Sequence, residues 1–169
     1  MTPRRRRFLA PVLVAVAAVA GISSMASAES GTTPLAADEE MPSAVEDFNY
    51  PGADRILAEE GIELKRGDGR ILLAECGQTA DQITVYTVAD SSSGRKGTYC
   101  FRTTAKSGHL TLELPRVFAL ETSANPISAD LTAEGQKHTV NMTADEFRSV
   151  GEGTVGGAQS VLVEIRVTG

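Results

Sequence analysis

The residues able to do covalent or acid–base chemistry are few. The 169-residue chain has two cysteines, Cys76 and Cys100, two histidines, His109 and His138, and no tryptophan. The cysteines stand at the two ends of "CGQTADQITVYTVADSSSGRKGTYC". A reactive thiol would need an electropositive setting that favours the thiolate, with His109 or His138 as its base. The flanks "LLAEC" and "TYCFR" resemble packed strand instead, and the spacing is not that of a Cys-x-x-Cys redox pair. Two cysteines with none left over, in a chain carrying an export leader, predict one disulfide, Cys76–Cys100. Closing a loop of about 25 residues stabilises a fold by roughly 3–4 kcal/mol in the chain-entropy account.

No histidine lies at helical metal-binding spacing from a carboxylate or from the other histidine, so neither a metal site nor a cofactor is expected. A Ser-His-Asp group assembles only in space, but the sequence carries no Gly-x-Ser-x-Gly elbow to announce one. Glu113, Glu121, Asp130 and Glu164 are the carboxylates on predicted strands. Alternation turns Glu113 and Glu164 away from the apolar face, where a solvated charge is the ordinary explanation. A sugar cleft would also want aromatic platforms, and Tyr50, Tyr86 and Tyr99 are a thin supply. No catalytic residue is assigned. Arg66-Gly67-Asp68 spells a tripeptide that adhesion receptors read, yet Gly-Asp-Gly is sufficient cause for a turn there. The loop Ala89 to Gly97, "ADSSSGRKG", places Arg95 and Lys96 at a hairpin tip on an otherwise acidic chain. Loops held by a rigid frame often carry recognition, so Arg95 and Lys96 are the candidate recognition residues.

The elements that must position these groups are mostly short strands. "GADRILAEEG" reads as a helix with Gly61 as its stop. "IELKR" and "RILLAEC" flank Gly67-Asp68-Gly69, which predicts a hairpin. "QITVYTV" and "TYCFRTT" predict a second hairpin with a long, mobile tip. "HLTLEL" puts Leu110, Leu112 and Leu114 on one face, and Pro115 breaks the run. "VFALET", "ISADLT" and "KHTVNM" follow. Thr143 with Glu146 spells a capping box and predicts a short helix through Phe147. "GEGTVGG" predicts a flexible loop, and "SVLVEIRV" a last strand with Val161, Val163, Ile165 and Val167 on one side. The expected fold is mainly β, a single β-sandwich or small barrel with one or two short helices, over residues 48–169.

The N-terminus speaks to compartment. "MTPRRRRF" is basic, "LAPVLVAVAAVAGI" is apolar, and Ala26-Ser27-Ala28 is a small-x-small site, so residues 1–28 predict a signal peptide cleaved after Ala28. Arg5-Arg6-Arg7-Phe8-Leu9 also fits the twin-arginine export pattern, which leaves the export route open between that and general secretion. Residues 29–47 carry six acids and no base, an expected disordered spacer. The leader holds four of the sixteen basic residues and none of the twenty-two acidic ones, leaving 12 bases against 22 acids, a net charge of −10. Such a surface repels nucleic acid and anionic membranes, so no nucleic-acid partner is expected, and no second long apolar segment follows the leader, so no membrane anchor is expected after cleavage.

The Arg- and Ala-rich leader, the Ala-Ser-Ala site, the acidic spacer and "GADRILAEEGIELKRGDGRILLAEC" resemble small secreted proteins of actinomycete bacteria. The resemblance implies an extracellular location and carries no catalytic motif. The expected function is that of a secreted, non-enzymatic β-domain binding a protein or a cell-envelope component. The alternatives are a secreted hydrolase whose site assembles only in the fold, and an exported protease inhibitor presenting the 89–97 loop.

Overall fold

A computed structural model describes residues 48–169. The expected leader 1–28, its cleavage point at Ala28 and the acidic spacer 29–47 lie outside the described residues. In chain order the elements are Phe48–Asn49 (β1), Ala53–Glu60 (α1), Glu63–Gly67 (β2), Ile71–Ala74 (β3), Gln82–Thr87 (β4) and Thr98–Thr103 (β5). Ser107–Pro115 (β6), Val117–Thr122 (β7), Ile127–Ala133 (β8), Gln136–Met142 (β9), Phe147–Ser149 (β10), a 3-10 turn at Gly151–Gly153 and Ser160–Thr168 (β11) complete it.

The strands form two antiparallel sheets, ordered β1-β2-β6-β11-β8-β9 and β10-β7-β4-β5-β3, packed as a sandwich. Strand alternation builds the core. Leu110, Leu112 and Leu114 from β6, with Ile127, Ala129 and Leu131 from β8, meet Ile83, Val85, Phe101 and Leu120 of the other sheet. Fully burying each such aliphatic or aromatic side chain is worth about 1.5–3 kcal/mol. The helix ends where expected: Gly61 takes a left-handed φ of 65° and its N–H donates to the Leu57 carbonyl. A Cβ at Gly61 would also come within 2.3 Å of the Ser93 carbonyl oxygen, so only glycine fits beneath the 89–97 loop.

Four local expectations are corrected. Gly67-Asp68-Gly69 does not close a hairpin: β2 pairs with β1 and β6, whereas β3 pairs with β5. The turn carries the chain from one sheet to the other, so that Leu64 and Ile71 enter the core from opposite layers. The Thr143–Glu146 capping contact forms, but no helix follows it; Asp145 is left-handed at φ 53°, and Phe147–Ser149 pairs with β7 as β10. In β11 a bulge falls between Leu162 and Glu164. The inward set is therefore Leu162, Ile165 and Val167, while Val161 and Val163 are only half-buried. Within "GEGTVGG", residues 151–153 form the 3-10 turn, seated so closely that a Cβ on Gly153 would lie 2.0 Å from the Phe118 carbonyl oxygen.

The corner between β6 and β7 also changes sheet. Pro115 ends β6, and Arg116 takes a φ of 59°, uncommon for a residue with a Cβ. Its guanidinium grips Glu152 with two hydrogen bonds, Nε at 2.7 Å and Nη2 at 2.6 Å. That grip holds the Glu152 carboxyl below the usual carboxylate range.

Candidate functional site

Cys76 and Cys100 are joined in a disulfide, with their Cα atoms 5.1 Å apart. Cys100 lies within β5 opposite Ala74, and Cys76 lies two residues past the end of β3. The bond therefore clamps β3, an edge strand, to its inner neighbour. It also removes both sulfurs from nucleophilic chemistry, since the chain has no other cysteine.

The remaining candidates for chemistry are dispersed. His109, in the inner strand β6 of the six-stranded sheet, places Nδ1 3.6 Å from Asp68 Oδ2. The hydroxyl of the nearby Ser107 receives a hydrogen bond from Arg70 Nη1 at 3.1 Å. Asp68 is turned inward, its side chain only 14% exposed, and accepts from the Arg70 backbone N–H at 3.1 Å. The Arg66-Gly67-Asp68 tripeptide therefore does not project its acid as a receptor ligand would need. His138 lies on β9, across the register from Leu131.

Of the four carboxylates, Asp130 and Glu164 are register neighbours on the outer face of the six-stranded sheet. Glu113 lies in β6 of that sheet, and Glu121 belongs to the other. Each of the first three has its own cation: Lys137 Nζ at 2.7 Å from Asp130, Arg166 Nη2 at 2.6 Å from Glu164, and Lys65 Nζ at 3.0 Å from Glu113. Burial opposes ionisation of Asp130, but hydrogen bonds from Lys137 and Thr139 outweigh it and hold the carboxyl below its ordinary range. A general acid needs the opposite shift. Among the described residues, no three His, Cys, Asp or Glu side chains gather closely enough to hold a metal ion.

The 89–97 loop is tied down along its length. Asp90 accepts from the Ser92 backbone N–H, the Ser92 hydroxyl and the Ser93 hydroxyl, and its backbone bridges to Arg95. Arg95 donates from Nε to the Val88 carbonyl at 2.9 Å, and its side chain is 11% exposed. Lys96 Nζ reaches Glu60 at 2.7 Å, and its backbone N–H donates to the Tyr99 hydroxyl. That hydroxyl in turn donates to the Glu60 carbonyl. Both candidate recognition cations thus serve acceptors of the protein itself. A partner reading Lys96 would compete with Glu60 of α1, and one reading Arg95 with Val88 and Asp90.

The two ends of the sandwich differ. At one, the edge strand β3 is covered: the Leu73 N–H donates to the Tyr50 hydroxyl at 2.7 Å, and Tyr50, Arg55, Ile56 and Glu60 wall the space beside it. At the other, β9 and β10 are the terminal strands of their sheets. Between them runs a groove of about 760 Å³. Register places His138 and Val140 of β9 on the same side as the buried Leu131 and Ala129, and Arg148 of β10 on the same side as the buried Leu120. The groove accordingly has an apolar floor of Leu131, Val140 and Val150, bordered by His138, Arg148 and Glu134. Alternate N–H and C=O groups of an antiparallel edge point away from the sheet, so both rims present backbone donors and acceptors.

Sequence reasoning missed this groove. Its residues come from two stretches of the chain, 131–141 and 148–160, and neither alone announces a cleft. It also missed an aromatic cluster on the outer face of the five-stranded sheet: Tyr86 lies 5.8 Å from Phe147 and 6.3 Å from Phe118, ring centre to ring centre. The available signal was a phenylalanine placed next to the Glu146 of the capping box; as a strand residue it becomes an exposed ring.

In comparisons with known proteins, the sequence matches no family model and no curated protein.

Proposed function

We propose that this disulfide-bonded β-sandwich is a secreted, non-enzymatic binding module whose partner is an extended polypeptide segment seated between β9 and β10. The observation that carries the reading is the asymmetry of the sandwich ends. Tyr50 and α1 cover the edge strand β3, while β9 and β10 flank an apolar-floored groove. A strand laid along β9 would gain main-chain hydrogen bonds, with side-chain selectivity from the groove floor. The seven residues of β9 supply enough length for such pairing. The disulfide supports an oxidising compartment, and the separate pairing of Asp130, Glu113 and Glu164 with cations favours binding over acid–base catalysis.

The test is a phage-displayed peptide selection on the oxidised protein, followed by amide chemical-shift mapping of the selected sequences. Bound peptides are expected to shift Gln136–Met142 and residues 147–150. Val140→Arg, which places a charge on the groove floor, should weaken binding by about tenfold or more; because Val140 also packs against the core, binding is compared on variant protein whose amide spectrum shows it folded. Selected peptides that bind Val140→Arg equally well, or that shift only other surfaces, would overturn the groove as the site.

A further inference from the structure

The outer face of the five-stranded sheet should carry solvated side chains, yet three of the seven aromatic residues of 48–169 meet there. Register builds two adjacent rows. Phe147 lies beside Glu121, and Glu121 beside Thr84; Ser149 lies beside Ala119, and Ala119 beside Tyr86. Tyr86 is tilted 59° to Phe147 and 38° to Phe118, so the rings support one another. Phe147 is 59% exposed. The Tyr86 hydroxyl donates to Glu121 Oε2 at 2.6 Å, which fixes ring and carboxylate together and pushes the phenol pKa up. Among the described residues, no Lys or Arg pairs with Glu121, unlike Asp130, Glu113, Glu152 and Glu164.

We propose that Phe147, Tyr86 and Glu121 form a docking site for a cationic side chain, arginine or lysine, of a protein partner. An aromatic face carries negative charge density and attracts a cation placed over it. The neighbouring carboxylate adds a full opposite charge without a cation of its own to displace. The protein's acidic excess steers positively charged partners towards it. Charge complementarity therefore selects a basic segment over a neutral or acidic one. The site does not depend on the groove. Phe147, Tyr86 and Glu121 do not line the groove, which β10 borders through Arg148 and Ser149, so either site can fail without the other.

The experiment is an NMR titration of the full oxidised chain with N-acetyl-arginine amide and with its neutral isostere, N-acetyl-citrulline amide. The arginine derivative is expected to shift the Phe147 and Tyr86 ring protons in a salt-sensitive way, and the citrulline derivative to bind at least about threefold more weakly. Glu121→Gln keeps an acceptor for the Tyr86 hydroxyl and should weaken arginine binding about two- to fivefold. Phe147→Leu, at an exposed position, should do so by a similar factor, about two- to fivefold, with an unchanged melting temperature. Equal shifts with arginine and citrulline would mean a plain apolar patch and would overturn the proposal. So would ring shifts produced by a neutral methyl pyranoside but not by arginine, or arginine binding that Glu121→Gln leaves intact. Absence of any ring shift with the arginine derivative sinks it outright.

Discussion

Asp130 shows how a single side chain ties the surface to stability. It is buried between Lys137 and Thr139, with the lysine nitrogen at 2.7 Å and the threonine hydroxyl at 2.6 Å. Its folded pKa lies below its ordinary 3.8, because those partners outweigh the opposing effect of burial. A carboxyl depressed in the folded state contributes stability that is present above the unfolded value and lost as pH falls through the folded one. Glu146 is lowered in the same sense, by the Thr143 N–H and Arg148, and Glu152 by Arg116. Unfolding free energy should therefore be level near neutrality and decline as pH falls through about 4 and below. Asp130→Asn should be less stable than the parent at pH 7 and lose less on acidification, which urea denaturation across pH will measure. Parallel curves for the two proteins would remove Asp130 from this account. In the sequence, Asp130 was one acid on a predicted strand among several. Its partners sit 7 and 9 residues further on, and only the β8–β9 register brings them beside it.

At the level of elements, local signals and long-range pairing compete, and Thr143–Glu146 records the outcome. The side-chain contact of a capping box is present, with Glu146 Oε2 accepting from the Thr143 N–H at 2.7 Å. Thr122 of β7 then intervenes. Its hydroxyl donates to the Thr143 carbonyl at 2.5 Å and accepts from the Glu146 N–H at 3.2 Å, while its backbone N–H donates to the Glu146 carbonyl. The backbone groups a helix would use are thus engaged by a neighbouring strand, and the chain leaves as β10. Thr122→Val would take this hydroxyl from the Thr143 carbonyl and the Glu146 N–H. The expected cost is about 0.5–1.5 kcal/mol, with faster amide exchange in Phe147–Ser149; unchanged exchange there would show that β10 is held by other contacts. The same competition explains the Gly67-Asp68-Gly69 turn. Turn chemistry dictated a reversal of direction but not which sheet the next strand would join.

For the molecule as a whole, the disulfide and the helix close one side of the sandwich, and the far side stays open. Cys76–Cys100 pins β3, which has only β5 as a strand neighbour, while Tyr50 takes the Leu73 N–H. Reducing the bond, or replacing both cysteines by serine, should lower the unfolding free energy by roughly 3–4 kcal/mol. The core does not include the exposed Cys76, so the reduced protein should keep its strand content by circular dichroism. A denaturation midpoint that does not move on reduction would mean that β3 is anchored by its packing alone. Opposite this closed side, β9 and β10 leave backbone groups unclaimed by a neighbouring strand of their own sheets, and it is there that a partner strand has room.

The sequence by itself determined the class of fold, the inward leucines of β6, the end of α1 at Gly61 and the one disulfide. Each follows from chemistry within a short window or from a count: alternation, a glycine's left-handed φ, two cysteines with no third. Tertiary structure decided which strands pair, where β11 slips by a residue at its bulge, and which edges lie uncovered. Those outcomes depend on hydrogen bonds and packing between residues tens of positions apart. The groove and the Phe147–Tyr86–Glu121 face belong to this second group, because each exists only once distant strands share a layer.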